Sequence, residues 1–221
     1  IEIQGDSTGG IFIKNETAAV STLKNVNLHR LATTSSPLRK YTGALNGYGG
    51  RFNIKNLKIN ASEAEDQLNL VNTQVTIDGL LISNAPSDAF DCDFCSGSLN
   101  NISFENIGGD GLDVSGSSLT VTSMEAKLIE DKALSVGERS TIKLSGATFD
   151  NIGTGVAVKD ASDVIIDEIE MRNIRYDAFM TYVKKPFFVG KTNLVVTRFE
   201  GAQAIKKSTC VREENTDLVL N

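Results

Sequence analysis

The chain has no tryptophan, a single histidine and only 6% aromatic residues. So thin a supply of rings excludes a core built on large aromatics and suits a narrow one filled by aliphatic side chains. Positive charge is also scarce, with 22 Lys and Arg against 28 Asp and Glu and a formal net charge of −6. Phosphate binding requires a basic face, so nucleic acid is not an expected partner. Long hydrophobic runs are missing too. Stretches such as Val164–Ile166 and Pro186–Val189 fall far short of the ~20 apolar residues of a bilayer-spanning helix, so membrane insertion is not expected.

Three cysteines provide no disulfide framework. Cys92 reads as a small core residue, and Cys95 makes a C-x-x-C with it that lacks the strand–helix setting of a redox motif. Cys210 is uninformative. No signal peptide is visible, and a first residue Ile1 in place of Met suggests a piece processed or excised from a longer protein.

What the chain does have is a repeat. Leu68, Phe90, Leu112, Leu134, Val156 and Phe179 follow one another at steps of 22, 22, 22, 22 and 23 residues. Two positions on, Leu70, Cys92, Val114, Val136, Val158 and Thr181 keep the same step. Between the two rows lie mostly polar or small residues, namely Asn69, Asp91, Asp113, Ser135, Ala157 and Met180. Alternation of period two within a repeat of this length predicts one half-buried strand per coil of a solenoid. The fold expected is an all-β parallel β-helix of about 22 residues per coil and roughly ten coils, forming one domain over residues 1–221. Stacked strands ~4.8 Å apart would give a rod of about 45–50 Å.

Regular coils are expected over about residues 64–183. Second strands show as Val75–Ile77, Leu119–Val121, Ile142–Leu144 and Val164–Ile166, and a third apolar site recurs at Ile107, Ile129, Ile152 and Ile174. Ser96, Ser118, Ser140 and Ser162, each 22 apart, predict a polar ladder at a corner. Phe187-Phe188 is expected to pack in the core of the last coils. Residues 205–221, polar and irregular, read as a terminal cap over the open strand edge.

The repeat also stacks acids. Two positions before the first apolar row stand Asp66, Asp88, Asp110, Lys132, Thr154 and Asp177. The outward strand positions add Asp91, Asp113 and Asp93, so six carboxylates are expected in one patch over three coils. Two unit charges 5 Å apart repel by roughly 0.8 kcal/mol in water and about 3 kcal/mol at an effective dielectric of 20. That is tolerable on an open wall, whereas in a groove it calls for a raised pKa, a neighbouring cation or a bound metal. Asp66, Asp88, Asp91, Asp93, Asp110, Asp113, Lys159 and Asp160 are the candidate binding residues. Asp88, Asp91, Asp110 and Asp113 are the candidate metal ligands, and an all-oxygen set suits Ca²⁺. No other cofactor is expected.

Two resemblances follow. Gly109–Val114, Glu130–Gly137 and Gly153–Val158 resemble the catalytic coils of polygalacturonases, which are right-handed, pectin-lyase-like β-helices. Asp110 and Asp131 match two of that family's acids, which makes Asp110, Asp131 and Lys132 the candidate catalytic set. Lys132, however, stands where the family has an aspartate, and Thr154 where it has histidine. An inverting hydrolase needs one carboxyl as acid and another to activate water. The likeness therefore implies the fold and not the activity, and leaves a polysaccharide lyase or hydrolase as the alternative to a non-catalytic module.

The second covers more of the chain. Thr42-Gly43-Ala44, Glu65–Asn69, Ser87–Phe94, Gly109–Ser117, Asp131–Glu138, Lys159-Asp160 and Tyr182–Pro186 together resemble the carboxyl-side β-helix region of bacterial surface proteins that carry a spore-coat-protein-H-type kinase domain. The resemblance implies a secreted or cell-envelope location and an appendage role, with a glycan or an adjacent domain of the parent protein as partner.

Overall fold

The computed structural model describes residues 1–16, 18–36, 39–201 and 216–220. These form an all-β, right-handed parallel solenoid. Among the described residues there is no helix, and hence none long and apolar enough to cross a membrane. Among the described residues, ten stacked strands build one side of the rod, from Glu2–Gln4 and Val20–His29 through to Thr216–Leu220. The register Leu80↔Ile102↔Met124↔Ala147↔Ile169 advances by 22, 22, 23 and 22 residues, the expected coil length.

Each regular coil presents three faces. The first is built from Ile11–Lys14, Gly43–Tyr48, Asp66–Val71, Asp88–Asp93, Leu112–Ser115, residues 132–137 and 154–159, and Phe179–Tyr182. The second and third are the two halves of bent strands such as Gln74–Ala85 and Ser96–Ile107. Both sequence rows are columns of the first face. Leu68, Phe90, Leu112, Leu134, Val156 and Phe179 are all fully buried, and Leu45 and Ile11 extend the row upstream. The third-face column Ile107, Ile129, Ile152 and Ile174 is likewise in register. Phe52, Phe90, Phe104, Phe149 and Phe179 are the largest fully buried side chains, set among aliphatic neighbours.

The structure corrects four readings. Cys92 and Cys95 are joined in a disulfide across the corner between the first and second faces. Burial of both sulfurs, which favours a free thiol by itself, is here the consequence of a corner tight enough to bring them together. Cys210 lies outside the described residues. The serine ladder runs through Ser117, Ser140 and Ser162, with Ser96 and Ser118 exposed one position away. An extra residue at the Glu138-Arg139 corner, both at positive φ, aligns Ser118 with Thr141. In this ladder each hydroxyl accepts the preceding coil's backbone N–H, at 2.8 Å for Cys95, 3.0 Å for Ser117 and 3.1 Å for Ser140.

Phe187 is 71% exposed and not a core residue, because its loop bulges between Phe179–Tyr182 and Thr192–Gly201. Phe188 instead packs under the guanidinium of Arg139, 5.8 Å from the ring centre. In the segment read as a cap, Thr216–Leu220 adds one more parallel strand, since Leu218 and Leu220 continue the inward alternation. The rest of that segment, residues 205–215 and 221, lies outside the described residues.

One corner stacks residues in the left-handed region: Asn84, Asn106, Leu128, Asn151 and Asn173, with φ between 53° and 59°. Asparagine tolerates this conformation and bonds along the column, as Asn106 Nδ2 does to Asn84 Oδ1 at 2.7 Å. Leu128 does neither and is 37% exposed. Leu128→Asn is therefore expected to stabilise the fold by about 1 kcal/mol in denaturant unfolding. A loss of stability would mean that Leu128 contributes packing the corner geometry does not reveal.

Candidate functional site: an acidic face closed by lysines

The first face carries the stacked acids. Asp88 pairs in register with Asp66, and Asp91 with Asn69 on one side and Asp113 on the other. The column holding Asp66, Asp88 and Asp110 sits where the chain enters each strand. There a carboxylate can reach the amide of the next coil: Asp110 N–H donates to Asp88 Oδ1 at 2.8 Å, and Lys132 N–H to Asp110 Oδ1 at 3.0 Å. Gly109 makes room for this, because a Cβ there would lie 2.0 Å from Asp88 Oδ1.

All six predicted carboxylates come together, but they are not equivalent. Asp110 has a cation, with Lys132 Nζ at 3.2 Å from its Oδ1 and 2.6 Å from Asp131 Oδ2. Asp113 lies 3.7 Å from Lys159 Nζ, which also donates to Ser135 Oγ at 2.6 Å. Among the described residues, no Lys or Arg pairs with Asp66, Asp88, Asp91 or Asp93. The face is thus supplied with cations at its carboxyl-terminal end and has carboxyl groups without one at the other.

Electrostatics follow this division. Burial pushes the Asp91 carboxyl up to about 9, reinforced by Asp93, Asp66, Asp113 and Asp88. Burial takes Asp88 to about 7 against the hydrogen bond from Asp110 N–H, and Asp93 to about 6 with help from Glu138 and Asp113. Asp66 is raised by burial in spite of hydrogen bonds from Thr42 and Asn69. Asp110 is raised by burial while Lys132 pulls it down. Burial works against the Lys132 charge, yet Asp110 and Asp131 outweigh it and hold the ammonium well above its ordinary range. Lys132 therefore keeps its proton.

Asn69 is the functional residue the sequence reading passed over. Its Nδ2 lies 3.1 Å from Asp66 Oδ2 and 3.3 Å from Asp91 Oδ2, so one amide serves two carboxylates, while its buried Oδ1 has no partner. Its place in the outward row was the available signal. Asp160 is fully buried and turned to another task, accepting the backbone N–H of Lys184 and Lys185 at 2.7 and 2.6 Å and so fastening the 183–190 loop. His29 is far from this chemistry, in register with Gln4 and Asn60 and 4.0 Å from Glu2.

For a metal, the donor chemistry is right and the convergence is not. Among the described residues no three His, Cys, Asp or Glu side chains are gathered as an ion's ligands. Asp88, Asp91, Asp110 and Asp113 are spread over two columns and two coils, and Asp110 already holds Lys132. Compared with known protein families, curated proteins and solved structures, the chain matches none.

The raised carboxyls fix the direction of pH dependence. A carboxyl whose folded pKa lies above its unfolded value of about 3.8 keeps its proton only in the folded state between those two values. The contribution of these carboxyls to stability is full below about pH 4 and is lost as pH rises to about 9. Asp91→Asn is expected to match the parent near pH 4 and to exceed it by about 2 kcal/mol at pH 8, less than the full linkage term because the carboxyl retains contact with water. Urea unfolding at both pH values checks this, and a variant no more stable at pH 8 would overturn it.

Proposed function

We propose that the chain is a non-catalytic β-helix module of a secreted or cell-envelope protein, using its acidic face to dock a positively charged partner. The observation that carries this is the group of half-buried Asp88, Asp91 and Asp93 beside the buried Asp66, which has no Lys or Arg partner among the described residues. Complementary charge from outside would release their mutual repulsion on binding. The dispersed arrangement suits several ammonium or guanidinium groups better than one metal ion. A Cys92–Cys95 disulfide fits an oxidising compartment. The likeness to the β-helix region beside spore-coat-protein-H-type kinase domains supports the same location and offers an adjacent domain of the parent protein as the partner.

Hexalysine is the probe. Binding measured by calorimetry is expected to weaken steeply with added NaCl and to fall by about tenfold in Asp91→Asn/Asp93→Asn. Binding that ignores both salt and these substitutions would remove the proposal. The Ca²⁺ version is checked by melting with Ca²⁺ against chelator. Ligand linkage requires Tm to rise once Ca²⁺ exceeds its dissociation constant, so a shift below about 1 °C at millimolar Ca²⁺ leaves it without support.

The enzymatic alternative has one point in its favour: Asp110, Asp131 and Lys132 touch. Their contact argues against its chemistry. A lyase base must take a proton, and an ammonium held between two carboxylates has no lone pair with which to accept one. Pectate, alginate and glycosaminoglycans are expected to yield no new reducing ends or unsaturated products. Turnover abolished by Lys132→Ala would reverse the reading.

A further inference from the structure

A second candidate surface lies on the opposite side of the rod from the chemistry above, along the corner between the second and third faces. A groove of about 680 Å³ runs there across four coils. Two rows of side chains line it. At the corner itself stand Asn25, Asn56 and Asn101, at φ 53°, 52° and 54°; Asn56 Nδ2 donates to Asn25 Oδ1 at 2.8 Å and Asn101 Nδ2 to Asp78 Oδ1 at 3.4 Å, and the rest of these exposed amides faces the groove. On the third face Asn27, Lys58, Leu81 and Ser103 follow one another in strict register. Leu57 and Leu80, behind the groove, face the core and are almost wholly buried, so the part-exposed Leu81 supplies its apolar surface. Gly79 keeps the middle open: its φ is +87°, and a Cβ there would come within 2.9 Å of Asn56 Oδ1.

The lining decides what fits. Amides and a hydroxyl both donate and accept, as sugar hydroxyls do, and the part-exposed Leu81 suits the C–H face of a pyranose. Lys58 is the one ionic group in it. Beyond Ser103 the same corner turns acidic with Glu125, Glu168 and Glu170, which repels uronic acids and sulfated sugars. A peptide fits less well. Its usual mode is strand addition to a free edge, whereas the strands bounding this groove are paired on both sides. The rows also repeat at the coil spacing of ~4.8 Å, longer than the ~3.4 Å rise of an extended peptide and close to the length of one extended sugar unit.

The geometry points to a binding site for a linear, uncharged polysaccharide chain lying along this corner, separate from the acidic face. Without an aromatic platform the site binds weakly per sugar and gains affinity with chain length.

The test uses neutral hexasaccharides (cellohexaose, laminarihexaose, mannohexaose and chitohexaose) titrated into the ¹⁵N-labelled chain. The expected result is chemical-shift change at the side-chain amides of Asn56 and Asn101 with at least one of them. Ser103→Arg, which fills the groove from a surface position, is expected to weaken that binding by about tenfold. Leu81→Arg, one coil away, does the same, so a folding defect in either variant leaves the other to decide. Absence of shifts with all four sugars, shifts confined to the acidic face, or affinity unaltered by the folded arginine variants would each overturn the assignment.

Discussion

Parallel, in-register pairing of one coil on the next is the constraint on which the rest of this molecule depends. Every residue acquires a neighbour about 4.8 Å away that occupies the same position of the next coil. For apolar side chains this is cooperative. The column from Leu68 to Phe179 is dry from end to end, and each member covers the next. For charged side chains the same geometry is adverse, since like is stacked on like. The aspartate column lessens that cost by giving its carboxylates backbone donors: Asp88 takes the N–H of Asp110, and Asp110 takes that of Lys132. Hydrogen bonds to the ionised form and repulsion between neighbours therefore act on the same atoms in opposite senses.

The two acid columns end differently from how they begin. Each is closed at its carboxyl-terminal end by a lysine, Lys132 over Asp110 and Lys159 beside Asp113, both drawn into the face and largely covered. Two coils upstream no such residue is present among those described, and the polar group that stands there is the Asn69 amide. An amide offers two hydrogens and no charge, so it can orient Asp66 and Asp91 without neutralising them. The shortage of cations is local to one end of one face, which a net charge of −6 does not reveal.

Columns were legible in the sequence because the coil length is nearly constant and strand alternation has period two. Those regularities sufficed for the core rows, for the third apolar site, and for placing Asp88, Asp91, Asp110 and Asp113 on one face of two adjacent coils. They failed wherever a coil gains a residue. One extra position at Glu138-Arg139 moves Ser140 from beneath Ser118 to beneath Ser117, and in a period-two structure that is the difference between outside and inside. Likewise the nine-residue excursion before Thr192 carries Phe187 off the core, although its composition reads as apolar packing. The Cys92–Cys95 bond was hidden for another reason. Burial predicts a cysteine's surroundings and says nothing about whether the corner between two cysteines closes enough to join them.

What corners do in this fold bears on both proposed surfaces. A strand's outward side chains stand on a flat wall, and a flat wall excludes little water. Concavity arises only where the backbone turns, and here each kind of corner holds residues in the left-handed region, usually but not always asparagine or glycine. At Asn25, Asn56, Gly79 and Asn101 the turn leaves a trough with amides on its lip. At Asn72, Phe94 and Gly116 the turn borders the acidic wall, and the Phe94 ring lies against the place where a Gly116 side chain would be. Both proposed surfaces thus lie beside points where the chain is held in the left-handed region. Strand pairing keeps those points aligned from one coil to the next.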